Sequence, residues 1–136
     1  MNKERSRAGG FTLIEMVIVF ALIGILIGLA LPQYKYSLVK AKETVLRENL
    51  FVLRKLIDQY YQDKGKYPAS LQALVQDGYV RAIPTDPVTK SSTTWVEVRE
   101  TPAPDELVMP DALGVIDVKS GSEEKSPIEG TPYNTW

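Results

Sequence analysis

The residues best placed to do chemistry stand together near the start of the chain. In Gly9-Gly10-Phe11-Thr12-Leu13-Ile14-Glu15, two glycines separate a charged head from a long apolar run, and one carboxylate sits about a turn inside that run. Glycine carries no Cβ, so Gly10 offers a protease an extended, unhindered backbone. Cleavage after Gly10 would make Phe11 a new N-terminus at the edge of the apolar segment; the plain alternative is a pair of linker glycines. A carboxylate one turn into lipid costs roughly 2.5–3.5 kcal/mol on insertion scales, so Glu15 needs a partner. The α-amino group that cleavage creates on Phe11 is one. Within a chain the two would pair at the helix end, where the helix dipole favours an acid. Between chains the same pair would set a fixed axial stagger of parallel helices, and hence an open helical assembly.

Other chemistries are poorly provided for. The chain has no Cys and no His, which removes disulfides, thiolate metal sites, Cys nucleophiles and the commonest general base. There is no Gly-rich phosphate loop with its Lys, and no catalytic residue is assigned. With 16 basic and 17 acidic side chains and no basic stripe, nucleic acid is not an expected partner. A length of 136 residues with 44% hydrophobic and 24% charged content fits one domain-sized unit and argues against wholesale disorder.

The junction is positioned by the segments on either side of it. Residues 1–10 carry Lys3, Arg5 and Arg7 against Glu4 and read as a leader. Residues 11–31 hold one charge, Glu15, and one other polar side chain, Thr12, enough apolar helix to cross a hydrocarbon core of roughly 30 Å. A secretory signal peptide cleaved after Ala30, at Gly28-Leu29-Ala30, is the competing reading. The apolar run is long for that role and its acid would serve no purpose in a discarded peptide. Gly24 and Gly28 form a small-xxx-small pair that either lets helices pack closely or is merely tolerated. Pro32 removes one helical hydrogen bond, so residues 24–32 are the expected place to unwind. Tyr34 and Tyr36 fall where the helix would leave lipid.

Beyond it, residues 33–64 form an amphipathic helix with Val39, Leu46, Leu50, Leu53, Ile57 and Tyr60 on one face. Joined across Pro32, the two halves make a bent rod on the order of 80 Å long, stopped by Gly65. A short helix over 70–75, a turn around Asp86 between Pro84 and Pro87, and strands over 93–99 and 114–118 joined by a loop follow. Tyr60, Tyr61, Tyr67 and Trp95 are expected in the core. Residues 119–136 lack periodicity, with Tyr133 and Trp136 available to tie them down.

Gly10-Phe11-Thr12-Leu13-Ile14-Glu15 resembles the cleavage and methylation motif of type IV pilin-like proteins. Residues 60–68 (Tyr-Tyr-Gln-Asp-Lys-Gly-Lys-Tyr-Pro), 71–74 and 78–87 are similar to the major, G-type pseudopilins of type II secretion systems, strongly through Pro87 and weakly after Pro104. The resemblance implies an α+β pilin-like fold, a long bent N-terminal helix packed on a small antiparallel sheet with an irregular C-terminal region. It implies a cleaved leader over 1–10, a membrane and filament-core helix over 11–32, and a periplasmic domain over 33–136. It further implies cleavage after Gly10 and N-methylation of Phe11 by a prepilin peptidase, subunit registration by Glu15, and local melting near Pro32 on assembly. The partners implied are other copies of the chain, an inner-membrane assembly platform, minor pseudopilins and membrane lipid; the filament would move folded proteins across the outer membrane. A type IV pilus pilin is the nearest alternative, although the Cys pair many such pilins carry is missing.

No organic cofactor is expected. Pseudopilins of this type commonly hold Ca²⁺ in a C-terminal loop, which here reads Asp117-Val118-Lys119-Ser120-Gly121-Ser122-Glu123-Glu124. Asp117, Ser120, Ser122, Glu123 and Glu124 could supply oxygen ligands, but Lys119 and Lys125 intervene and the familiar ligand order is not reproduced. The alternative is a solvated acidic loop.

Overall fold

A run of helix-permissive residues interrupted only by Pro32 forms one α-helix, α1, Leu13–Lys64, of 52 residues. The computed structural model describes residues 9–109 and 112–136, so the leader expected over 1–10 lies outside them except for Gly9 and Gly10. The chain divides into two compact units, one ending at Leu38 and the other Val39–Trp136.

In the second unit, Leu46, Leu50, Leu53, Ile57 and Tyr60 recur at alternating steps of four and three, which keeps them on one stripe of the helix. All five are buried, each aliphatic one contributing on the order of 2 kcal/mol. Val39, expected on the same stripe, is half-buried. Gly65 ends the helix in the left-handed region, φ 68°, and its N–H donates to the Tyr61 carbonyl at 2.8 Å.

Helix α2, Leu71–Gln76, lies one residue later than the periodicity predicts and buries Leu71 and Leu74. Ser70 precedes it in extended backbone but gives no side-chain cap. The Leu71 N–H instead donates to Glu97 Oε1 at 2.8 Å, so a strand carboxylate serves the helix start. Strands β1, Val96–Arg99, and β2, Val115–Lys119, pair antiparallel, with a register irregularity between Val98 and Arg99. The expected strand over 93–99 is thus shorter at its N-terminal end: Thr94 is drawn into side-chain bonds with Thr89 and Ser91, and Trp95 turns inward to donate its Nε1–H to the Pro84 carbonyl at 2.8 Å.

Leu46, Leu50, Leu53, Ile57, Leu71, Leu74, Trp95, Val115, Val118 and Tyr133 close one core. The α+β arrangement of a long N-terminal helix and a small antiparallel sheet is therefore the one expected. Tyr60 and Trp95 are in the core as expected and Tyr67 packs against it, but Tyr61 is exposed, stacked on Tyr67 with ring centroids 4.4 Å apart. Residues 120–136 are mostly irregular, yet held: Lys125 bridges Pro132, a 3₁₀ turn covers Tyr133–Thr135, and Trp136 stacks edge-on against the buried Tyr133.

Candidate functional site

Helix α1 begins where Thr12 and Glu15 close on each other. The Thr12 N–H donates to Glu15 Oε2 at 2.8 Å, and the Glu15 N–H donates to Thr12 Oγ1 at 3.3 Å. This reciprocal capping box satisfies two backbone donors that would otherwise lack partners and sets the carboxylate at the positive end of the helix dipole. The Thr-x-x-Glu spacing carried that signal in the sequence. Gly9, Gly10 and Phe11 lie outside the helix and are exposed, Phe11 to 84%. The Gly10–Phe11 peptide is thereby presented in non-helical backbone. The Glu15 carboxylate is thus engaged by the Thr12 N–H, one residue beyond the Gly10–Phe11 peptide.

Every side chain from residue 13 to 38 is exposed, although nearly all are apolar. The helix is long and apolar enough there to cross a membrane. Gly24 and Gly28, four residues apart, share a face, and a Cβ on either would meet nothing within 4 Å. Pro32 has no N–H, so the Gly28 carbonyl lacks its usual helical donor; the backbone nevertheless stays helical through both.

Three of the five oxygen-bearing residues near the C-terminal region already have their side chains engaged in hydrogen bonds. Asp117 Oδ1 accepts from Arg54 Nε at 2.7 Å, and Ser120 donates to Asp86 Oδ2 at 2.5 Å. The Ser122 hydroxyl accepts the Glu124 N–H, while Glu123 and Glu124 are themselves exposed. Among the described residues no three carboxylates gather into a metal-holding group. This donor set does not fit a hard-cation site, because Asp117 is paired with a guanidinium and the Ser120 hydroxyl is spent on a buried acid.

Two further carboxylates, Glu43 and Asp86, have larger structural roles. Glu43 occupies the apolar stripe three residues before Leu46 and is only 5% exposed. It accepts from the Ser126 hydroxyl at 2.6 Å and the Tyr133 hydroxyl at 2.9 Å. Asp86 is fully buried and accepts from Ser120 and from the Val88 and Thr89 N–H groups. Nothing local marks either acid as buried, beyond the place of Glu43 in the apolar register.

Burial, and then the bond to Glu43, push the Tyr133 hydroxyl up to about 12. A phenol whose pKa rises on folding from 10.0 adds stability that is complete below about pH 10 and lost as pH climbs through about 12. We expect Tyr133→Phe to flatten that alkaline fall in melting temperature measured between these limits; an unchanged slope would assign it elsewhere.

The prokaryotic N-terminal methylation motif matches residues 5–31, the junction and most of the apolar run behind it. The core protein G of the type II secretion system of Klebsiella michiganensis is 28% identical over 152 aligned positions, covering 100% of this chain and 96% of that protein. The same-named protein of Pseudomonas aeruginosa is 33% identical over 62% of this chain and 70% of its own length. The chain belongs to the type II secretion system core protein G family. The fimbrial protein EcpC of Eikenella corrodens is 35% identical, but over 54% of this chain and 52% of its own. No solved structure matches the chain significantly.

These relationships favour the secretion subunit over both the pilus pilin and a protein cleaved after Ala30, since core protein G relatives span the whole chain. Membership brings with it filament assembly and prepilin processing, and the apolar helix with its motif fits inner-membrane anchoring.

Proposed function

We propose that this chain is the repeating, non-catalytic subunit of a type II secretion pseudopilus that helps move folded proteins across the outer membrane. The observation that carries the reading is the motif itself: an exposed Gly10–Phe11 peptide, a capped helix start at Thr12 and Glu15, and a bare apolar helix behind it. A prepilin peptidase cuts after Gly10 and methylates Phe11. Residues 11–32 anchor the subunit in the inner membrane and later form the filament core, while residues 33–136 stand in the periplasm. The Phe11 amine of one subunit then meets Glu15 of the next, a neutralised pair that lets the acid remain in an apolar filament.

Gly24 and Gly28 supply the smooth face for close packing, and the missing donor at Pro32 makes the stretch they begin the easiest to melt as subunits adjust. An assembly platform and minor pseudopilins are the other protein partners, and a separate ATPase supplies the work. A mass spectrum of the mature protein from the native host tests the processing step. We expect an N-terminus at methylated Phe11; a chain beginning at Leu31 would overturn the reading.

A further inference from the structure

Residues 120–136 contain two copies of one small device. At the first, Ser120 donates to the buried Asp86 at 2.5 Å while its own oxygen accepts the Ser122 N–H at 3.2 Å. At the second, Ser126 donates to the buried Glu43 at 2.6 Å while its oxygen accepts the Ile128 N–H at 3.2 Å and the Glu129 N–H at 2.9 Å. Each serine is thus a donor to a buried acid and an acceptor for the turn that follows it. Both hydroxyls are themselves buried, Ser120 to 0% exposure and Ser126 to 2%. Tyr133 adds a second hydroxyl to Glu43, and the Val88 and Thr89 amides add to Asp86.

A bound divalent cation in an oxygen-rich loop does two things: it satisfies carboxylates out of water, and it gathers chain segments around a common point. Here hydroxyl and amide donors perform both. Glu43 comes from α1 and Asp86 from the turn before Trp95, so the two devices fasten the segment to two separate parts of the domain. No buried side-chain oxygen or nitrogen among the described residues lacks a hydrogen-bond partner, so the buried carboxylates Glu43 and Asp86 are satisfied without an ion. Asp117, one of the three carboxylates among the candidate ligands, is held by Arg54.

We propose that residues 120–136 fold through these paired carboxylate–serine nodes and require no structural Ca²⁺. The test uses the full chain in detergent, melted in EGTA and in millimolar CaCl₂, alone and as Ser120→Ala and Ser126→Ala. We expect one melting temperature in both solutions, and each serine variant to melt about 4 °C lower or more in both. A wild-type melting temperature that drops on chelation overturns the proposal, as does either serine variant melting with the wild type or being restored by CaCl₂. Should a variant fail to fold, amide hydrogen exchange of the wild type decides. Protection across residues 120–136 persists in EGTA if the nodes hold the segment, and its loss there refutes them. The measurement reads the subunit's own fold and is independent of whether it polymerises.

Discussion

Glu15→Ala is expected to leave the protein cleaved and membrane-inserted but unassembled. Removing a charge that costs roughly 2.5–3.5 kcal/mol in lipid makes insertion easier, so a loss of filaments is not explained by a failure to enter the membrane. The substitution also deletes the Glu15 half of the capping box, worth about 1 kcal/mol, too little to unravel a long apolar helix. What remains is the missing acid for the Phe11 amine of the neighbouring subunit. Glu15→Gln separates the two effects, because a glutamine oxygen still accepts the Thr12 N–H while carrying no charge. If charge pairing sets the stagger, both variants lack sheared filaments by electron microscopy. Filaments of normal length from Glu15→Ala would sink the registration argument, and filaments from Glu15→Gln alone would reassign the residue to capping.

The second large effect is expected at Gly121. A Cβ placed there would lie 2.0 Å from the Thr94 carbonyl oxygen and 3.1 Å from its carbon. The obstacle is backbone, not the tip of a flexible side chain, so the chain must move. Movement at Gly121 drags its neighbours Ser120 and Ser122, and with Ser120 the bond to Asp86. Overpacking of this kind costs about 3 kcal/mol or more, which for a domain of this size lowers the melting temperature by about 10 °C or more. Near-ultraviolet dichroism of Trp95, beside Thr94, follows the transition. Gly24→Ala is the control, since a Cβ there meets nothing. A Gly121→Ala subunit melting with the wild type would mean that the approach of the two backbones is not needed for the fold.

What could be read from the sequence depended on how far apart the interacting residues lie. The junction at Gly10, Phe11, Thr12 and Glu15 is local, so its motif is visible without the fold, and processing there is what its resemblance to pilin-like proteins implies. The helical stripe of Leu46, Leu50, Leu53, Ile57 and Tyr60 is also local, because side-chain periodicity needs no partner to be visible. Glu43 interrupts that stripe, and the residues that make its burial possible, Ser126 and Tyr133, are 83 and 90 positions away. Asp117, Ser120 and the glutamates beside them looked like ligands for the same reason. Their composition is oxygen-rich, while the groups that occupy Asp117 and Ser120, Arg54 and Asp86, come from elsewhere at separations of 63 and 34. Tyr61 was misplaced because an aromatic one position off a buried stripe resembles one on it until the neighbouring turn is known.

Glu43, Arg47 and Arg54 lie along one side of α1, and each grips the C-terminal segment. Glu43 holds Ser126 and Tyr133, Arg47 stacks on Trp136 and pairs with Glu129, and Arg54 holds Asp117, Val118 and the Trp136 carbonyl. These grips span about 16 Å along the helix axis. Because the grips sit at three positions along one helix, loss of any single one leaves the C-terminal segment held at the other two.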